Sequence, residues 1–334
     1  MAEPTDSRSE PKDLPDLPRG IALAWGVAAN PQRGPKREIS IERIVEAAVR
    51  IADQEGIGAV SMAAVAKALG YSSMSLYRYV SAKDDLLLLM QEDAMGLPPE
   101  WGHGTDADSG SEDGDLSWRG RVEELYRAQV EIFIRHPWML SLPSEGTPVT
   151  PNSTAWLEAG LAAFAQTPLS NEERLAVTLA VFGQSRWHGM VLSVDAQAAR
   201  STGLSPEEVS AREHELFSAV IDEEEFPHVR QAVEDELFLS SADPFQFGVA
   251  RLLDGVETYV AGLERGDPHE EPFEAIEADD ANVVEDKRYR AAAKTTLDAQ
   301  KALQKAEKAL RQARKTQRQV LREARDRAAR RNSD

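Results

Sequence analysis

The sequence predicts an all-α chain, and three observations carry that reading. Apolar residues recur at spacings of three and four along most of its length, the period of an amphipathic helix. Serine followed three residues later by glutamate or aspartate opens several of these segments, as helix-capping pairs do. No stretch alternates apolar and polar residues between hairpin turns in the manner of a half-buried strand. The segments group into an arm over residues 1–38, a small unit over 39–95, a larger helical domain over 116–265, and an acidic linker with a basic Ala-, Lys- and Arg-rich helix over 266–334.

The arm is rich in Pro, Asp and Arg and reads as mostly disordered, with one apolar stretch, Ile21 to Val27, that can pack back on the body. From the N-cap residue Ser40, the positions Ile41, Ile44, Val45, Ala48, Ile51 and Ala52 define a first helix that Gly56 stops. Ser61 caps a second, with Met62, Val65, Ala66 and Leu69 on its inward face and Gly70 at its end. After Tyr71 and Ser72, a short third helix is expected over Ser73 to Val80. Ser81 and Asp84 then form a capping pair for a fourth, which carries the apolar run Leu86 to Met90. Thr105 to Asp115 is nearly all Gly, Ser and Asp and separates the small unit from the larger helical domain.

Beyond that separator, Val122, Leu125, Tyr126, Gln129, Ile132 and Phe133 mark a helix ended by Pro137, and Trp156 to Phe164 marks another. Ser170 and Glu173 cap a long apolar helix to about Val194, and Ser205, Pro206 and Glu208 open a further one. Phe245, Val249, Leu252, Leu253, Val256, Tyr259, Val260 and Leu263 trace one face of a helix from about Pro244. From about Val284 the lack of Gly and Pro favours one long helix.

A chain of 334 residues holds two ordinary domains, and a hydrophobic fraction of 42% suits packed cores. Cysteine is absent, which excludes disulfides, thiolate metal sites and cysteine nucleophiles and favours a cytoplasmic protein. The first forty residues lack the pattern of a signal peptide and the longest apolar runs are too short to span a bilayer, so no membrane association is expected. The net charge of -19 argues against nucleic acid only until it is located along the chain. Residues 286–334 carry 16 Lys or Arg against 6 Asp or Glu, so an acidic body bears a basic tail. Catalysis finds no foothold: there is no Gly-rich phosphate loop, no His-Glu-x-x-His and no nucleophile elbow. His214-Glu215 lacks a second histidine, and the loop at Asp106 and Asp108 misplaces the Gly and Glu of a calcium site. Neither an enzyme nor a bound cofactor or metal is expected.

A helix capped by Ser61, a tight turn at Gly70-Tyr71-Ser72 and a short polar and aromatic helix have the geometry of a helix-turn-helix. The second helix of such a pair can lie in the major groove with its first residues at base edges. Leu76 and Val80 would face the core, leaving Ser73, Met74, Ser75, Tyr77, Arg78 and Tyr79 for phosphates and bases, with Lys83 a natural phosphate contact. Any three short helices joined by Gly-containing turns share this pattern, so the residues themselves must decide.

Ile44-Val45-Glu46-Ala47-Ala48, Gly56-Ile57-Gly58-Ala59-Val60-Ser61-Met62, Val65-Ala66-Lys67-Ala68-Leu69-Gly70, Ser75-Leu76-Tyr77-Arg78-Tyr79-Val80 and Lys83-Asp84-Asp85-Leu86-Leu87 occur in order. Over about residues 39–95 they closely resemble the N-terminal domain of the TetR (tetracycline-repressor) family. Trp118 through His136-Pro137-Trp138 to about residue 195 is more weakly similar to the ligand-binding domain of the tetracycline-repressor subgroup. The resemblance implies a three-helix DNA-binding domain on a larger helical ligand-binding and dimerisation domain. It implies a sequence-specific transcriptional regulator that binds a palindromic operator in double-stranded DNA and is released by a small-molecule inducer. Carried over residue by residue, it implies that Ser73, Met74, Ser75, Tyr77, Arg78 and Tyr79 meet the groove and adjoining phosphates, with Ser61 and Lys83 on the backbone. At Ala63 and Ala64, where many members carry arginine, this chain has no long side chain. Arg33, Lys36 and Arg37 can supply a compensating minor-groove arm or remain a solvated turn.

One short recognition helix reads too few base pairs, so a two-fold homodimer reading half-sites about 34 Å apart is expected. The resemblance implies an interface of two C-terminal helices, for which the segments Glu172 to Val194 and Pro244 to Leu263 are the candidates. Trp138, Trp156, Phe182, Trp187 and His188 are candidates to line an inducer pocket, although aromatic residues at helical spacing also serve as plain core. In the tail, Ala299, Ala306, Ala313 and Val320 recur every seven residues beside Leu303 and Leu310, a pattern open to a coiled coil. The basic helix can also contact DNA backbone nonspecifically or fold on the acidic body. An architectural DNA-binding protein and a ligand-responsive activator are the competing readings.

Overall fold

The computed structural model describes residues 17–27, 39–100, 117–142, 149–240, 242–271, 283 and 285–331. Arg33, Lys36 and Arg37 lie outside the described residues. All regular elements among the described residues are helical, and the chain divides into one unit up to Pro268 and a second from His269.

The first unit begins with α1 (Arg19–Ala24), which comes from the apolar stretch of the arm and packs on α5 (Lys83–Met95). Leu23 is buried there, and the Trp25 indole donates to the Val149 carbonyl at 2.9 Å. Gly20 suits this contact, because a Cβ at that position would stand 3.0 Å from the Asp85 carboxylate. Between them lie α2 (Ile41–Glu55), α3 (Met62–Leu69) and α4 (Ser73–Leu76). Ser40 and Ser61 act as N-caps, their hydroxyls accepting from the amides of Arg43 and Ala64. Ile44, Ala48, Val65, Leu76, Val80, Leu86 and Met90 close one buried core at the centre of these helices.

Two local readings differ from the sequence expectation. The third helix stops at Leu76 and continues as a turn through Tyr79. The Ser81–Asp84 capping pair does not form, because α5 starts at Lys83 with Ala82 as its cap. That start shifts the third helical position to Asp85, and the Ser81 hydroxyl donates to the Asp85 carboxylate at 3.1 Å.

The remaining helices of this unit are α6 (Trp118–Arg135), α7 (Pro151–Ala163), α8 (Asn171–Thr202), α9 (Pro206–Val220), α10 (Pro227–Glu234) and α11 (Pro244–Glu264). Both expected serine–glutamate boxes are present: Ser170 with Glu173, and Ser205 with Glu208. α8 runs past Val194 to Thr202, where Gly203 with φ 72° ends it. α8 packs on α6, α7 and α11. Two glycines permit this closeness. A Cβ at Gly189 of α8 would meet Phe133 Cβ at 2.5 Å, and one at Gly160 of α7 would meet Thr178 Cγ2 at 2.3 Å. Arg119 ties α6 to α11 through Asp254 at 2.8 Å and Glu257 at 3.0 Å.

Among its described residues, the second unit contains one long helix, α12 (Lys287–Arg331), whose described side chains are all exposed.

Candidate nucleic-acid interface and effector cavity

The turn between α3 and α4 rests on Gly70, which adopts the left-handed conformation at φ 77° and ψ 29°. An L side chain is strained there, and the geometry lets the Gly70 and Tyr71 amides donate to the carbonyls of Lys67 and Ala66. α4 is thereby set across α3, with Leu76 and Val80 pinned in the core at no measurable exposure. The opposite surface presents Met74 at 76% exposure, Tyr77 at 45%, and an exposed Arg78. Ser73 and Ser75 are half-buried beside them, and the Ser75 and Ser72 hydroxyls lie 2.9 Å apart. Ser61 and Lys83 are exposed. Tyr79 departs from this group: it is half-buried and packs against the core, which leaves only part of its ring available to a ligand.

Exposed Lys67 and Tyr71 adjoin this surface and were not singled out from sequence. The signal was there, since Ala63, Lys67 and Tyr71 stand four apart and Ala63 is itself exposed. The surface combines cations, phenols, hydroxyls and a flexible thioether, a set that can contact phosphate oxygens and base edges.

Among the described residues, side chains of α2, α5 and the helical domain join this head to that domain. The Asp53 carboxylate of α2 accepts from the Trp138 indole at 2.7 Å and meets His136 Nδ1 at 2.8 Å. Glu92 of α5 accepts from the Asn152 amide at 2.6 Å, and its carbonyl accepts from the Asn152 side chain at 2.8 Å. The Trp156 indole donates to the Gly96 carbonyl at the end of α5, at 3.0 Å. Trp156 also meets Phe182 of α8 edge-on, with ring centroids 6.3 Å apart.

Phe182 borders a small cavity lined with Val122, Leu125, Gly160, Phe164, Thr178 and Val181. Its enclosed volume is about 10 Å³, room for about one water molecule and far below the roughly 300 Å³ at which small-molecule sites begin, so a ligand must open it. Of the five pocket candidates, Phe182 lines this cavity and Trp156 stands behind it. Trp138 is buried in the core shared with the head, where it serves Asp53. Trp187 points outward from α8 at 55% exposure and does not line this cavity.

His188 is buried in a different place. Its Nδ1 lies 2.8 Å from the Tyr126 hydroxyl, its Nε2 lies 3.4 Å from Asp243, and its ring stacks on Phe245 at 4.6 Å. Burial lowers the His188 pKa against the smaller opposing pull of Asp243, and burial also pushes the Tyr126 phenol up to about 12. Both effects favour one arrangement: a neutral imidazole that accepts from the Tyr126 O–H and directs its Nε2–H at Asp243. Asp243 simultaneously caps α11 by accepting from the amides of Phe245 and Gln246. The network therefore fastens α6, α8 and α11 together.

A helix-turn-helix head with an exposed basic and aromatic surface, bonded to a helical domain, defines a DNA-binding regulator. Residues 44–90 match the bacterial regulatory proteins of the tetR family, and residues 111–260 match the tetracyclin repressor-like C-terminal domain. The HTH-type transcriptional repressor DrrR1 of Streptomyces coeruleorubidus is 33% identical over 246 residues, 74% of this chain and 87% of its own. An HTH-type transcriptional regulator of Saccharopolyspora erythraea is 31% identical over 153 residues, 45% of this chain and 59% of its own. In fold, a TetR protein of Streptomyces coelicolor at 18% identity superposes with a TM-score of 0.50, covering 66% of this chain and 99% of that one. The chain belongs to the TetR family of transcriptional regulators.

Proposed function

We propose that this regulator is a homodimeric, cytoplasmic repressor that grips a palindromic operator in double-stranded DNA and releases it when a small molecule enters the domain behind each head. The observation that carries the DNA half is the surface of α4, where Met74, Tyr77 and Arg78 project from a helix held by Gly70, Leu76 and Val80. Ser73 and Ser75 stand at the start of that helix, where base edges are met, while Ser61 and Lys83 serve the phosphates on either side.

The dimer reading is supported by α8, whose exposed face carries Leu175, Leu179, Trp187, Met190 and Val194 in register with exposed Gly183. Phe247 of α11 is likewise exposed. Large apolar side chains aligned in this way mark a surface that another protein covers. The ligand reading is supported by the path from the cavity to the head: Phe182 on the cavity wall, Trp156 against it, and the Gly96 carbonyl at the end of α5. A ligand that widens the cavity must displace Phe182, and Trp156 would carry that displacement to α5. Only a difference in affinity between the two arrangements can drive release.

The test is fluorescence anisotropy with labelled duplex from the protein's own upstream region and a scrambled duplex, each at two salt concentrations. The native duplex should bind tighter by on the order of a hundredfold or more, and the Tyr77→Ala, Arg78→Ala double variant should lose that difference. Equal, steeply salt-dependent binding to both duplexes would instead indicate an architectural protein.

A further inference from the structure

The helix α12 lies beyond residue 260, where the match to the family's C-terminal domain ends, and its described side chains are all exposed. A seven-residue repeat runs through it. Thr296, Leu303, Leu310 and Gln317 occupy one position of the repeat, and Ala299, Ala306, Ala313 and Val320 occupy the position three residues on. Lys287, Lys294, Lys301 and Lys308 recur at the same interval on the opposite side. We propose that this seam pairs with the same seam of a second copy of the chain, forming a parallel, in-register, two-stranded coiled coil with its lysines facing outward.

The period is the first argument for a second helix as the occupant. A stripe that repeats every seven residues drifts about 20° per heptad around a straight α-helix, roughly 80° over the four heptads of this seam. A flat surface loses such a stripe over a few heptads, whereas a partner helix that supercoils with it stays in contact.

Charge placement is the second argument. In a parallel pair, the residues flanking the seam meet as Thr295 with Gln300, Ala302 with Glu307, Ala309 with Arg314, and Thr316 with Leu321 of the other strand. None of these pairs sets like charges together, although residues 286–334 carry 16 basic against 6 acidic side chains. Arg314 is the one cation among these eight flanking positions, and a helix selected only for binding an anionic surface has no reason to keep the strip so poor in cations. Gln317 and Thr296 on the seam favour equal register, since each then meets its own copy and finds a hydrogen-bonding partner.

Alanine buries little, so the seam is weak by itself. It relies on the dimer proposed above, which would hold the two tails at the millimolar effective concentration typical of short tethers. The coil would leave two outward rows of lysine on the operator-bound dimer.

The chain contains no cysteine, so single cysteines report proximity without background. Ala299→Cys and Val320→Cys place a thiol on the seam near either end, and Lys308→Cys places one on the outer row. Under mild oxidation of the full chain, both seam variants should give disulfide-linked dimers, with roughly tenfold less from Lys308→Cys. Equal yields at all three positions, or low yields at all three, would overturn the coil. Self-linkage that fails singly but appears between mixed Ala299→Cys and Val320→Cys chains would overturn the parallel register. Light scattering on the chain truncated after residue 283 separates the two readings. A truncated dimer whose full-length parent fails the cysteine test sinks the coil alone, and a truncated monomer sinks the body dimer.

Discussion

Replacing Gly160 by alanine tests the close contact of α7 with α8. A Cβ at that position would stand 2.3 Å from Thr178 Cγ2, 3.1 Å from its Oγ1 and 3.3 Å from its Cβ. The first distance is about 1 Å short of ordinary contact, and Thr178 has little freedom to yield because its hydroxyl donates to the Arg174 carbonyl at 2.8 Å. Overpacking of this kind costs about 1–3 kcal/mol. Alanine recovers about 0.5–1 kcal/mol of backbone entropy within α7, leaving a net loss of about 1–2 kcal/mol. In a domain of this size that corresponds to a fall in Tm of about 3–6 °C. Thermal unfolding followed by tryptophan fluorescence reads the right unit, because all six tryptophans precede residue 188 and none lies in the tail. Thr178→Ala removes the two nearest clashing atoms, so adding it to Gly160→Ala should return the Tm to within about 2 °C of Thr178→Ala alone. A Gly160→Ala protein as stable as the parent, or one that Thr178→Ala fails to rescue, would refute the close approach of α7 and α8.

The remaining predictions concern the head, the buried histidine and the outer face of α8. Asp53→Ala strands the buried Trp138 indole and should cost about 1–3 kcal/mol in thermal unfolding, while Asp53→Asn keeps an acceptor and should recover most of it; equal losses from both would argue for a purely electrostatic role. His188 has a folded pKa below its ordinary value, so the unfolded chain binds its proton first. Its contribution is intact above about pH 6.5 and falls as pH drops through the window just below. The parent should therefore lose Tm faster than His188→Gln between pH 7.5 and 5.5, and parallel profiles would show that the histidine does not titrate with folding. Leu179→Asp puts a charge at the middle of the exposed α8 stripe and should convert dimer to monomer by light scattering without loss of helical circular dichroism; an intact dimer would place the interface elsewhere.

The elements that could be read most closely from sequence are those whose ends are local events. Ser40 and Ser61 bond to amides three residues ahead, and Gly70 takes a conformation few other residues adopt, so α2 and α3 begin and end where their residue types say. Where the boundary is set by packing, the sequence misleads. The apolar pattern of α8 fades at Val194 because its buried stripe ends there, yet Ala, Gln and Arg have the propensity to carry the helix on to Thr202. Tyr77 to Tyr79 keep helical spacing, but Tyr77, at φ -61° and ψ -14°, opens a turn that periodicity alone does not distinguish from helix.

The same division runs through the site. The α4 surface follows from local rules, since Leu76 and Val80 must face inward and Met74, Tyr77 and Arg78 then face out. Trp187 and His188 are neighbours on α8 and equally plausible as pocket residues by type, but one residue is about 100° of helix rotation. That rotation sends the tryptophan outward and the histidine to Tyr126. Asp53 carried no signal at all as an exposed-looking carboxylate on α2, because its function depends on a tryptophan 85 positions away. Residues that couple the head to its control domain are of this kind. They are ordinary in their own segment and acquire meaning only across a packed interface, so the reading surface can be found from the chain before the linkage that governs it.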